Sequence, residues 1–237
     1  AMGGVSLGVL QQPITERATP MLARLGTRLL GVPLQVGSVD VGLGGAPSTF
    51  VITLNQVAIG RDPKRLVSID EIGITVALAA PLRGESLITR VRATRLALNL
   101  VGGAPGETLV SEVERGKALA LLTTASRIDI VDARVVFSIP GGVPLAADAL
   151  DGGMERAAKG ARFVLHGRTA GGVIDVVGDL AESGHRVALT IGGRGLDATA
   201  LPILAGRVRG IVDLRLDVID VGNTRRMDGR VAVREGR

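Results

Sequence analysis

The residues that could perform catalysis are few, and their spacing does not assemble an active site. The chain has no Cys and only two His. Residues 4–8 fit the G-x-S-x-G pattern of a serine nucleophile, but that motif needs a strand before it, and here it starts three residues from the chain end. His166 and His185 fall in or beside separate strand patterns. We therefore expect surface or turn histidines, and no metal site.

The acidic residues give no stronger indication of chemistry. Residues 192–200 nearly match the calcium-binding nonapeptide of parallel β-helices, but the motif needs stacked copies and the chain has one. A Gly-rich turn after a strand ending at Ile191 is the preferred interpretation. Asp175 and Asp179 would lie about 13 Å apart on one strand face, which is too far for a glycosidase pair. The sequence predicts no enzyme activity, no cofactor and no bound metal.

The composition is apolar and almost free of aromatic residues. Hydrophobic residues make up 46% of the 237 residues, charged residues 22% and aromatic residues 1%. This balance excludes a disordered chain. With no Trp or Tyr to stack on bases, nucleic acid is not an expected partner. The net charge of +5 fits a solvated surface with some attraction for anionic lipid headgroups.

The longest uncharged stretches do not predict a membrane span. Residues 41–60 include Pro47, Asn55 and Gln56, which would be costly in hydrocarbon. The opening residues 1–3 are typical of a cloning remnant. We therefore expect a fragment whose natural beginning, including any membrane anchor, is missing.

One helix and many strands are predicted. Thr19 as N-cap and Pro20 at the first helical position begin a short helix that Gly31 ends. From Leu34 onward the hydrophobic period is two, most strictly over residues 212–218, where apolar and charged residues alternate. Gly- and Pro-bearing turns at short intervals indicate about ten to twelve strands, joined mostly as hairpins.

The strands fall into two segments. We expect a remnant, linker and helix over residues 1–33, a first β segment over 34–101, a Gly-rich turn with either a second helix or a linker over 102–127, and a second β segment over 128–237. Residues 91–100 and 130–139 share their apolar alternation and one Arg. This weak internal repeat favours two related halves.

The order of these features resembles the AsmA-like superfamily of repeating β-groove proteins, which are related to the chorein-type bridge proteins. Residues 30–39 (LGVPLQVGSV) and 50–59, which end in an L-x-x-V-x-I pattern, resemble the family's opening helix and strands. Residues 72–78, 81–84 and 88–100 are similar to its strand, L-x-x-G and Leu-alternating strand. In the second half the resemblance lies in residues 189–191, 195–202 and 210–214.

The resemblance implies a curved antiparallel sheet that forms an open, taco-like β-groove. It also implies a protein on the periplasmic side of the Gram-negative inner membrane, anchored by an N-terminal segment absent here. The implied role is movement of phospholipid to the outer membrane, with phospholipid acyl chains as the partner in an apolar groove. For the TamB branch, the implied role is assistance to outer-membrane assembly, with a partner there.

The residues expected to line the groove are aliphatic side chains on one face of the clearest strands: Ile72, Ile74, Val76, Leu96, Leu98, Leu100, Val187, Leu189, Leu214 and Leu216. Alternation alone fits a closed β-sandwich or barrel equally well, and without the resemblance we would prefer that fold. The alternative function is a non-enzymatic periplasmic scaffold for outer-membrane protein assembly, with a closed apolar core.

Overall fold

A computed structural model describes residues 19–21, 23–24, 27, 33–46, 48–61, 64–101, 125–138, 144–157, 160–181, 186–201, 209–221 and 224–234. Thr19, Pro20 and Met21 are helical, as the two start signals predict. The backbone N–H of Leu34 donates a hydrogen bond of 2.9 Å to the Thr27 hydroxyl, which ties this helix to the first strand. The serine motif at residues 4–8, His185 and the helix or linker at 102–124 lie outside the described residues.

In the described part of the chain twelve strands follow the helix, so the prediction of a mainly β fold with ten to twelve strands is confirmed. Their bounds are β1 Leu34–Gln35, β2 Ser38–Leu43, β3 Thr49–Arg61, β4 Lys64–Ala77, β5 Ile88–Val101, β6 Ala125–Ser138, β7 Leu145–Ala157, β8 Gly160–Thr169, β9 Gly172–Ala181, β10 Arg186–Asp197, β11 Ile211–Val221 and β12 Thr224–Arg234.

The strands form one sheet whose order follows the chain. β1 and β2 both pair with β3 at one edge, and the path then runs through β4 to β12 in sequence. The sheet is curved and open and does not close into a barrel, as the groove prediction required. It is eleven strand positions wide.

One pair of neighbouring strands departs from the expected antiparallel arrangement. β5 and β6 are parallel, with Ile88 opposite Ala125 and Val101 opposite Ser138. Parallel neighbours need a connection that returns the chain to the starting end of the first strand, and residues 102–124 make it. The two predicted β segments are thus halves of one continuous sheet, and β6 begins at Ala125, slightly before the expected boundary at residue 128.

The two faces of the sheet differ sharply in polarity. In β11, Val212 and Leu214 point to one face, whereas Asp213 and Arg215 point to the other, and Gly193 and Val231 flank Leu214 on neighbouring strands. The same division continues from strand to strand through the register. We call these surfaces the apolar face and the charged face.

A row of residues with left-handed backbone crosses the sheet and keeps the apolar side chains on one face. Gln56 in β3, Arg95 in β5, Asp132 in β6 and Ala149 in β7 have left-handed φ values of 53°, 50°, 55° and 50°. At each of them the apolar positions step by three residues instead of two, as from Leu54 to Val57, and at Gln56 and Arg95 the pairing register is unshifted. We call these four residues the left-handed row.

β7 forms although its sequence, rich in Ala, Asp and Gly, is not typical of a strand. Its two glycines allow close backbone contact with both neighbours. A Cβ atom on Gly153 would lie 2.2 Å from the Ile128 carbonyl oxygen, and one on Gly152 would lie 2.0 Å from the Val164 carbonyl oxygen. No side chain fits at either position, so β7 requires glycine there.

The turn expected after Ile191 is wrong, because β10 continues to Asp197. The register shifts between Gly193 and Leu196, where Gly195 has a φ of 68°. The Asp197 carboxylate then accepts hydrogen bonds from the backbone N–H and the hydroxyl of Thr199. This glycine-rich segment is therefore a bulged strand followed by a short capped turn, not a calcium loop.

Candidate functional site

The residues predicted to line a groove lie together on the apolar face. Nine of them have described side chains, and all nine are half-buried: Ile72, Ile74, Val76, Leu96, Leu98, Val187, Leu189, Leu214 and Leu216. Leu100 belongs to β5 and its backbone pairs with Phe137, but its side chain lies outside the described part. The alternation in the sequence thus identified the face correctly.

These nine residues form two groups, on β4–β5 and on β10–β11, and the intervening strands fill the space between them. Residues from β6, β7, β8 and β9 build one cluster that includes Ile128, Met154, Ala161 and Leu180, with Val187 packed against it. A second cluster around Val57 and Ile69 joins β3, β4 and β5. The apolar face is therefore continuous across the sheet.

The apolar face is most exposed at its two edges, which the sequence analysis did not single out. Leu43 in β2 is 83% exposed, and Met227, Val231 and Val233 in β12 are 63%, 58% and 48% exposed. The alternation of Met227, Gly229, Val231 and Val233 was readable in the sequence. In the described structure no strand lies beyond β12 to cover these side chains.

The apolar face is smooth because its side chains are short and mostly aliphatic. The largest described side chain near its centre, Phe163 in β8, lies over Gly178, the residue opposite it in β9. A Cβ atom added to Gly178 would be 2.1 Å from the ring of Phe163, so only glycine leaves room for it. The ring therefore occupies the space that a side chain at Gly178 would take.

Ion pairs between neighbouring strands cover the charged face. The Asp129 carboxylate accepts hydrogen bonds from Arg90 on β5 and from Arg127, the latter at 2.7 Å. Farther along, Arg134 lies 3.0 Å from Asp148. These pairs connect β5, β6 and β7 and give that face its polar, solvated character.

His166 is part of the same charged face. Its Nδ1 atom lies 2.7 Å from Asp175, to which Arg194 also donates a hydrogen bond of 3.1 Å. The hydrogen bond from His166, together with that from Arg194, outweighs partial burial and lowers the pKa of Asp175. Among the described residues nothing hydrogen-bonds to the other ring nitrogen, so no catalytic triad is assembled.

Two further features of the described residues bear on possible sites. No group of three or more His, Asp or Glu side chains among them could hold a metal ion. None of the helices in the same ranges is both long enough and apolar enough to cross a bilayer.

Asp175 and Asp179 do share one face of the unbroken strand β9, as the sequence analysis assumed.

Comparison of the chain with protein-family models, with curated proteins and with solved structures finds no match. The geometry of the two faces therefore carries the functional argument.

Proposed function

We propose that this chain binds the acyl chains of phospholipids along its apolar face and is one segment of a lipid-carrying bridge. On the resemblance to AsmA-like proteins, we propose that this bridge lies on the periplasmic side of the Gram-negative inner membrane and moves phospholipid toward the outer membrane. This proposal involves no cofactor and no catalytic step.

The observation that carries the proposal is that the apolar face continues over the whole width of an open sheet while its large aliphatic side chains stay partly exposed along it and mostly exposed at its two edges. Leaving this much apolar surface in water is costly, at about 25 cal/mol per Å². Contiguous exposed apolar surface on soluble proteins marks a binding site for apolar partners. Acyl chains would cover it without needing any polar group.

The chemistry of the face also supports acyl chains over a ligand that must be fixed in one position. A specific small-molecule site combines apolar walls with a few well-placed polar groups. Here the hydrogen-bonding side chains lie on the opposite, charged face, as Asp129 and Asp175 illustrate. A uniformly aliphatic surface holds a chain by burial alone, which permits sliding along it.

The alternative scaffold with a closed apolar core requires an enclosed apolar face. The open sheet does not provide this enclosure in the described ranges, where Leu98 and Leu189 remain half-buried. The lipid proposal is therefore preferred to that form of the scaffold.

The experiment is organic extraction of the purified protein followed by mass spectrometry of the lipids that remain bound. We expect stoichiometric phospholipid on the wild type and a several-fold loss with Leu98→Asp, because a charge would stand on the apolar face. Asn99→Asp is the matched control, since Asn99 is the next residue of β5 and lies exposed on the charged face. It should retain the lipid.

Circular dichroism separates loss of binding from loss of fold. Both variants should keep the β signal of the wild type. A wild-type protein that is lipid-free, monodisperse and cooperative in unfolding would overturn the proposal, as would equal lipid on both variants.

A further inference from the structure

Within the described sheet, β12 is an edge strand with unusual properties. It has eleven residues and no proline, and the residues from Arg226 to Arg234 are all exposed. In the described chain only β11 pairs with it. Natural proteins rarely leave a long regular edge unprotected, because its free N–H and C=O groups pair with other strands.

Two charges in the middle of β12 are poorly matched to the residues directly opposite on β11, whereas nearer the ends Arg225 lies opposite Asp220 and Arg234 forms an ion pair with Asp213. Asp228 lies opposite Asp217, and Arg230 lies opposite Arg215. Like charges directly opposite each other destabilise a strand pair. Asp217 is hydrogen-bonded to Thr190 and to Arg215, and Arg230 lies near enough to Asp217 to contribute to its lowered pKa. Neither Asp228 nor Arg230 forms a close ion pair with another described residue.

We propose that β12 pairs with β12 of a second copy of this chain, antiparallel, about a two-fold axis at Gly229. Gly229 is the midpoint of the strand, so Thr224 faces Arg234 of the second copy and the whole strand is paired. In this register Asp228 faces Arg230 of the second copy, and Arg230 faces its Asp228. Met227 likewise faces Val231 of the second copy on the apolar side.

Neighbouring registers lack this complementarity. Moving the axis by one residue toward either end places Asp228 against itself or Arg230 against itself. An axis between two residues would place an apolar residue of one copy opposite a charged residue of the other. The apolar face of one copy would then lie on the same side of the joined sheet as the charged face of the other. The charge pattern therefore selects one register, and the pairing closes after two copies instead of growing into a fibre.

The pairing is independent of the proposed lipid function, but it affects the same surface. Because facing residues in an antiparallel ladder point to the same side, the apolar faces of the two copies join into one. The exposed Met227, Val231 and Val233 would then lie at the centre of a wider sheet instead of at its edge.

The first test uses charge reversal and sedimentation equilibrium of the whole chain. The wild type should be a dimer, whereas Asp228→Arg and Arg230→Asp alone should each weaken dimerisation by roughly tenfold or more, since both facing pairs become repulsive. An equimolar mixture of the two variants should recover the dimer, because each facing pair then joins an arginine of one variant to an aspartate of the other. A monomeric wild type, unweakened single variants or a mixture that stays monomeric would overturn the proposal.

The second test exploits the absence of cysteine from the chain. Gly229→Cys places two thiols opposite each other at the axis, about 4.5–5.5 Å apart at Cα, within the range of a disulfide. A Cβ atom at Gly229 comes no closer than 3.6 Å to Leu216, so the fold accommodates it. Mild oxidation should produce a covalent dimer.

Ala232→Cys is the control on the same strand. In the proposed register Ala232 faces Arg226 of the second copy, and the two introduced thiols are roughly 20 Å apart along the strand. It should not crosslink. Equal crosslinking by both cysteine variants, or by neither, would overturn the register.

Discussion

Asp129 illustrates how single residues on the charged face stabilise the sheet. Asp129 is only 8% exposed, and two arginines donate hydrogen bonds to its carboxylate. Burial by itself would raise the pKa of Asp129, but the hydrogen bonds from Arg127 and Arg90 outweigh burial and leave that pKa below its usual value. The folded protein thus favours the ionised carboxylate.

Because the pKa of Asp129 is lower in the folded state, its contribution to stability is present at neutral pH and is lost as the pH falls through that lowered pKa. We expect Asp129→Asn to reduce the free energy of unfolding by about 1–3 kcal/mol at pH 7. The difference from wild type should shrink well below pH ~4, where the unfolded carboxyl is protonated. Urea denaturation at pH 7 and pH 3 measures both effects.

The control for this prediction is Asp148→Asn. Asp148 and its partner Arg134 are both more than half exposed, so the loss should be under about 1 kcal/mol. Equal losses from the two substitutions, or a loss from Asp129→Asn that does not depend on pH, would contradict the assignment.

At the scale of the elements, the left-handed row decides how the strands present their side chains. Ala93 and Leu96 are three residues apart, so in a regular extended strand they would lie on opposite faces. With the left-handed backbone at Arg95 they instead pack in the same cluster, and Asp132 accompanies the same step of three in β6. The left-handed row therefore maintains an unbroken apolar face.

Ala149 should be strained in its place within the left-handed row, because a left-handed φ of 50° is unfavourable for any residue with a Cβ atom. Ala149→Gly should therefore raise the free energy of unfolding by roughly 0.5–1 kcal/mol. Ala146→Gly, three residues earlier in β7 and outside the left-handed region, should lower it by a similar amount. Chemical denaturation of both variants provides the measurement, and two changes of the same sign would contradict this account.

The elements were predictable to different degrees for physical reasons. Perfect alternation over residues 212–218 of β11 records its two faces directly. β7 was missed because its glycines serve contacts with Ile128 and Val164, which no local pattern encodes. The left-handed row was invisible because Gln56 and Asp132 are ordinary residues whose backbone is set by neighbouring strands. The face was nevertheless predicted, since apolar residues mark it on both sides of each left-handed residue.

At the scale of the whole molecule, the apolar face is long compared with a lipid. Eleven strand positions at about 4.8 Å give a width of roughly 48 Å. One leaflet of a bilayer's hydrocarbon core is about 15 Å thick, so about three acyl lengths fit across the sheet. The face is therefore larger than one phospholipid requires.

Native mass spectrometry should accordingly detect more than one phospholipid on a single chain. We expect a series of masses that corresponds to one, two or more bound lipids. The reason is that no barrier divides the apolar face, so acyl chains can contact Ile74, Phe163 and Leu216 alike. Leu98→Asp should shorten the series, and Asn99→Asp should leave it unchanged. A strict limit of one lipid per chain would contradict an unobstructed face.

The arrangement of the whole sheet was only partly contained in the sequence. Hairpin turns predicted the sequential order of strands, and the resemblance predicted that the sheet stays open. The parallel pair was not predicted, because it depends on where a long connection returns the chain. The internal repeat did hint at it, since residues 91–100 and 130–138 belong to adjacent strands whose true register is offset by two residues.

That parallel pair has a consequence for how the protein folds. Elsewhere strands meet through near neighbours in the chain, as Arg61 meets Lys64 and Val221 meets Thr224. Ile88 meets Ala125 only after a much longer loop is closed, which costs more chain entropy and slows the contact. We expect β3–β5 and β6–β12 to assemble as separate units and the boundary between β5 and β6 to zip last.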